Sequence, residues 1–220
     1  MSWVEVLGAA STPSLPLGWA LQWGRSIAWA LVLACIAVLL LRRQALVVRA
    51  AAATGLALWA MLPGEASPTF WLGLAFQSPS WVGCALAVVG LWRGLSVAPP
   101  APWTQGGTRA LSGAARVGAW VGVLLGYVLL LDTLGYLPLQ VYAWGFSPWA
   151  LAAVMVVSLL PFVLGARGVA AWIAPSALLC FAATRLPTGN VWDAVLDPLT
   201  WLVLHVLLLL RVRARSATRA

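Results

Sequence analysis

Residues 26–43 read SIAWALVLACIAVLLLRR, an uncharged run closed by two adjacent arginines. A bilayer core of about 30 Å takes about 20 helical residues, with about 17 tolerated. Residues 20–24 can lengthen this run, so it reads as a membrane span whose basic end, Arg42-Arg43, sits at an interface. A cleaved signal peptide has a different pattern. Here the first charge is Glu5, the first arginine is Arg25, and no small-residue cleavage site leads into a polar start.

Six further apolar runs follow, over residues 45–62, 70–92, 117–134, 148–164, 168–184 and 191–210. Together the 220 residues are 63% hydrophobic and 8% charged, against about half and about a quarter in an ordinary soluble domain. Too few charges are present to cover a water-soluble globule, and the same numbers exclude intrinsic disorder. Unpaired backbone groups are costly in hydrocarbon, so the runs should be helical. They are too continuous for the alternating pattern of a barrel. The expected fold is all-α: a polytopic membrane helix bundle of about seven transmembrane helices, forming one integral membrane domain over residues 1–220.

The arginines give the orientation. With the N-terminus outside, the inner face receives Arg42, Arg43, Arg49, Arg93, Arg109, Arg116, Arg167, Arg211, Arg213, Arg215 and Arg219, and the outer side keeps only Arg25 and Arg185. This is a positive-inside pattern with the C-terminus inside. The acids Glu5, Glu65, Asp132, Asp193 and Asp197 fall outside or near outer helix ends. Tryptophans populate both boundaries, more densely the outer one. Every one of the 13 basic residues is Arg, which suggests a GC-rich bacterial genome and a multi-pass protein of the inner membrane. The net charge of +8 sits beside apolar runs, so it predicts a lipid bilayer as partner and no nucleic acid.

Two runs carry internal breaks. Gln77-Ser78-Pro79-Ser80 divides the third into a short interfacial segment and a helix from Pro79, since proline is favourable in a first turn. The seventh opens with Asn190 as N-cap and Asp193 near the positive helix end. Pro198 then either kinks one long helix or starts a shorter one capped by Asp197. The shorter helix would have an apolar stretch of only about 20 Å, so a kinked long helix is expected. Residues 93–116, with Pro99-Pro100, Pro102 and Gly106-Gly107, read as an irregular cytoplasmic linker.

Ionisable groups inside spans are the default candidates for chemistry. Asp132 lies roughly 22 Å along the fourth span. Arg185, Asp193 and Asp197 reach the same outer level, with Arg185 brought near the two acids by the tight turn at residues 186–189. An outward-facing polar cluster of Asp132, Arg185, Asp193 and Asp197 is therefore expected. It could be an ion or headgroup site, a set of helix-holding pairs with Arg185 bound to an acid, or caps in water. His205 shares a helical face with Asp197 through Trp201. It could join a proton relay, or hydrogen-bond to Ser158, Tyr127 or a backbone carbonyl. Cys35, Cys84 and Cys180 read as buried small hydrophobes. Cys180 and His205 differ in height by roughly 10 Å, which opposes a thiolate–imidazole pair. No catalytic motif, metal site or cofactor site is recognisable.

Three functions fit. The first is a membrane-embedded accessory or scaffold protein that binds a membrane-protein partner or a lipid. The second is a small transporter using Asp132, Arg185, Asp197 and His205. The third is an enzyme acting on a lipid-linked substrate at the outer face.

Overall fold

The computed structural model describes residues 16–96, 105–138, 140–166 and 168–217. Every regular element among them is helical. In chain order these are α1 (Gly18–Leu40), α2 (Leu46–Ala60), a 3-10 turn (Gly64–Ala66), α3 (Pro68–Phe76), α4 (Trp81–Leu95) and α5 (Gln105–Thr133). They are followed by α6 (Val141–Trp144), α7 (Pro148–Val163), α8 (Val169–Thr184), α9 (Val191–Val195) and α10 (Pro198–Ala217).

By length and composition, one helix among the described residues, Gly18–Leu40, is long and apolar enough to cross a membrane. The other apolar helices, such as Leu46–Ala60, Trp81–Leu95, Pro148–Val163 and Val169–Thr184, are shorter. Breaks in the expected runs account for part of this. Gln77 ends α3 at φ 62°, and Ser80 then caps α4 by accepting from the Gly83 amide. The split expected near Pro79 is thus present, with the helix starting at Trp81.

The seventh run corrects the expectation of one kinked helix. Leu196 is extended (φ −139°, ψ 121°) and separates α9 from α10. Asp197 caps α10, with Pro198 in its first turn. The shorter-helix alternative is the observed one. Proline lacks an N–H and its fixed φ suits a helix start, while the aspartate supplies the acceptor for the Thr200 amide three residues further on. Ser67-Pro68 and Ser147-Pro148 open α3 and α7 in the same way. The 93–116 linker is also corrected: helix resumes at Gln105, and only residues 97–104 lie outside the described residues.

Helix directions alternate between two ends of the bundle. At one end the Trp81 indole of α4 donates to the Leu186 carbonyl just beyond α8, and Ser67 and Thr69 hydroxyls donate to the Ala60 carbonyl ending α2. At the other end Arg49, near the start of α2, donates to the Gly94 carbonyl at the end of α4 at 2.6 Å. Glycines allow the closest approaches. A Cβ on Gly90 would stand 2.6 Å from the Cys35 sulfur, and one on Gly94 would stand 2.2 Å from Val38 Cγ1, joining α4 to α1. On α5, Gly122 and Gly126 receive Leu204 and Trp201 of α10. These are small-x-x-x-small seams, in which the lack of side chains lets helix backbones approach closely. The central core is Ala150, Leu178, Phe181, Val191, Trp192 and Ala194. The outer surface is apolar around the bundle, with Leu40, Val47, Leu74, Val163 and Leu164 exposed.

Candidate functional site

Asp132, Asp193 and Asp197 lie at one end of the bundle, as their positions in the runs predict, but each binds a different set of donors. Asp197 is 6% exposed. One of its carboxylate oxygens accepts from the Thr200 amide at 2.9 Å. The other accepts from the Thr200 hydroxyl at 2.6 Å and the Ser80 amide at 2.8 Å. Ser80 is the N-cap of α4, and its own hydroxyl accepts from Gly83. In a capping box, a side chain three residues past the cap returns to the cap's amide. Gly83 occupies that position and has none, so Asp197 of another helix completes the box. A Cβ on Gly83 would stand 3.2 Å from the Asp197 carboxylate and 2.9 Å from the Thr200 hydroxyl. One carboxylate therefore serves two positive helix ends, which favour negative charge.

Asp132 and Asp193 are bridged by Tyr142. The Tyr142 amide donates to Asp132 at 2.7 Å, and its hydroxyl donates to Asp193 at 2.8 Å. The Thr188 hydroxyl donates to the same Asp193 oxygen. Asn190, fully buried, caps α9 and donates from its amide to the Tyr142 carbonyl at 2.9 Å. The Trp192 indole donates to the Val141 carbonyl at 2.8 Å, and the Val191 amide donates to the Gly145 carbonyl. The segment carrying α6 is thus stapled onto the segment carrying α9, with Gly145 packed under Asn190 and Trp192. Burial pushes the Asp193 carboxyl above its ordinary range, and the hydrogen bonds from Thr188 and Tyr142 offset only part of this. Burial, then the neighbouring Asp193 charge, pushes the Tyr142 phenol up as well.

Arg185 does not join the acids. It ends α8 in the left-handed region (φ 57°), and its guanidinium lies 5.5 Å from the Phe181 ring centroid, within cation–π range. No ion pair links it to Asp132, Asp193 or Asp197 among the described residues, so Arg185 drops out of the expected cluster and the alternative in which it holds an acid is not the observed one. The turn at Leu186–Thr188 carries its neighbour Thr188, not Arg185, onto Asp193.

His205 binds as the simpler of its two expectations has it. Its Nδ1 is 2.8 Å from the Trp201 carbonyl and its Nε2 is 3.3 Å from the Tyr127 hydroxyl. An Nδ1–H donor and an Nε2 acceptor satisfy both contacts. Trp201 separates His205 from Asp197 and donates to the Val123 carbonyl, so no chain of hydrogen bonds among the described residues connects the two. Among the three cysteines, Cys35 and Cys84 are buried as expected, whereas Cys180 is exposed on the flank of α8.

Two cavities lie at the same end as the acids and are lined by other residues. One of about 810 Å³ lies between α1, the α3–α4 break and the α8–α9 turn. A second, of about 510 Å³, lies between α1 and the α2–α3 connection. Arg25 lines both, and sequence reasoning missed it as a site residue. Its signal is that it is one of only two arginines on the acid-rich side. Trp71 and Trp81 are among the tryptophans expected at the outer boundary; their indoles, and those of Trp29 and Trp59, each donate to a carbonyl between helices. Comparison with family models, with curated proteins and with solved structures finds no match to this chain.

Proposed function

We propose that the chain is a multi-pass membrane protein of the bacterial inner membrane, with about seven crossings, N-terminus outside and C-terminus inside. We further propose that it acts there as an accessory or scaffold protein binding a membrane partner or a lipid. The seventh crossing begins at Pro198, so Tyr142 and Asp193 sit in connecting segments outside the hydrocarbon. Large apolar residues exposed on α1 to α5, α7, α8 and α10 support the membrane reading, because soluble monomers rarely expose large contiguous apolar patches. The alternating helix directions and the gathering of acids at one end support the orientation. Several helices are shorter than the ideal crossing, and flanking arginines can snorkel to the interface to make up the difference.

One observation carries the choice of a scaffold over a transporter or an enzyme. Asp132, Asp193, Asp197 and His205 are all engaged in bonds that hold elements together, His205 through the Tyr127 hydroxyl. None of them lines the 810 or 510 Å³ cavity. A transport path or a catalytic set needs such groups facing a ligand. Asp132→Asn and Asp197→Asn should therefore lower the amount of folded protein in the membrane in proportion to each other. Normal abundance combined with complete loss of a cellular phenotype would favour a transport or catalytic site instead.

A further inference from the structure

Arg25 stands one and a half turns from the Trp19 end of α1, in an apolar helix, and its environment is built around it. Gly73 of α3 faces it, and a Cβ there would stand 3.0 Å from Arg25 Cδ and 3.2 Å from a terminal guanidinium nitrogen. The Arg25 Nε is buried without a hydrogen-bond partner. No carboxylate pairs with the guanidinium among the described residues, although three aspartates lie at the same end of the bundle. Each of those three is already held by donors of its own. The 810 Å³ cavity beside Arg25 is walled mainly by carbon, with Trp19, Trp23, Leu31 and Leu186 among its lining. Gln22, Gln77 and Thr188 add neutral polar groups. Arg25 is the only charged residue among the described residues of that lining.

Arg25 is half-buried, its Nε has no acceptor of its own, and the planar fork of a guanidinium matches phosphate oxygens. The carbon walls suit a chain attached to that anion, and the exposed indoles of Trp19 and Trp23 suit the headgroup level of a bilayer. We propose that this cavity binds an amphiphile with a phosphate-bearing anionic headgroup, the phosphate on Arg25 and the first part of its hydrocarbon chain along α1. This inference rests on the membrane reading above and adds the class of ligand.

The test uses the full chain purified in detergent, with dioleoylphosphatidylglycerol as probe and dioleoylglycerol and inorganic phosphate as comparators, read by native mass spectrometry. The wild type should retain the phosphatidylglycerol at least about tenfold better than dioleoylglycerol. Arg25→Gln should lose that preference, and Ala20→Phe, which puts a ring into the cavity while leaving the charge, should weaken retention of both lipids. Millimolar inorganic phosphate should not displace the lipid. Equal retention by Arg25→Gln, or by Ala20→Phe, would overturn the site. Displacement by inorganic phosphate would overturn the amphiphile and leave a small-anion site. If Arg25→Gln does not fold, Ala20→Phe alone decides. Resistance of the wild type to alkaline extraction from membranes separates the two readings: lipid indifference with resistance sinks only this site, and extraction sinks the membrane reading beneath it.

Discussion

The two ends of the bundle are joined by different means. At the acid-rich end, helices meet through side chains that donate to or accept from backbone: Asp197 on Ser80 and Thr200, Tyr142 between Asp132 and Asp193, Asn190 on Tyr142. Toward the other end the Arg49 bond to the Gly94 carbonyl is joined by a packing seam, in which α1 and α4 meet at Cys35–Gly90 and Val38–Gly94 and the absence of side chains on α4 lets carbon pack on backbone. The contrast follows from what each region must satisfy. Helix starts leave unpaired amides, and several starts converge at the acid end, so acceptors are needed there. Mid-helix amides are already paired, so close packing suffices for the seam.

Breaking the two regions separately should show this. The largest effect is expected from Asp197→Ala, which leaves the buried Ser80 and Thr200 amides without their acceptor. At about 1–3 kcal/mol for each abandoned donor, unfolding in detergent should show a loss of about 3 kcal/mol, and Asp197→Asn should lose distinctly less. Next comes the seam. Gly94→Ala should cost about 2 kcal/mol through collision with Val38, and adding Val38→Ala should recover part of it. Recovery marks packing as the cause, whereas additive losses would mean that disturbing the Arg49 bond to the Gly94 carbonyl dominates.

Smaller effects refine the polar end. Tyr142→Phe removes one hydroxyl from Asp193 and should cost about 1 kcal/mol. The pH response has a definite sign. Asp193 holds its proton more tightly folded than unfolded, so its contribution is complete below its ordinary pKa of 3.8 and falls away as pH rises through the higher folded value. A thermal midpoint followed from acid to neutral pH should therefore fall through this group, and Asp193→Asn should flatten that part of the curve. The smallest effect belongs to His205→Phe, which keeps the ring against Tyr127 and Trp201. It should cost about 0.6 kcal/mol, the average for a hydrogen bond between membrane helices.

Much of this was legible in the residues. Continuous apolar runs marked the helices, Asn190 read correctly as a cap, and the Gln77–Ser80 break was visible because proline and polar residues interrupt a carbon-rich stretch. The misreading at Asp197-Pro198 came from judging helix length ahead of cap chemistry. Ser67-Pro68 and Ser147-Pro148 carry the same cap-then-proline signal and open helices at the same end, so the three together would have placed the start at Pro198. The glycine seams were legible too, as Gly90-x-x-x-Gly94 and Gly122-x-x-x-Gly126. What no local pattern could give is the partner of each acid. Arg185 and Thr188 are three residues apart, and only the path of the turn decides which one meets Asp193.

Accessibility to a membrane-impermeant maleimide in intact cells, using single cysteines in a cysteine-free background, tests the arrangement most directly. Glu65→Cys and Tyr136→Cys, both exposed at the acid end, should be labelled from outside. Gln44→Cys and Ala166→Cys, at the opposite end, should be labelled only after the cells are permeabilised. Labelling of Gln44→Cys and Glu65→Cys from the same side would contradict alternating crossings and the account built on them.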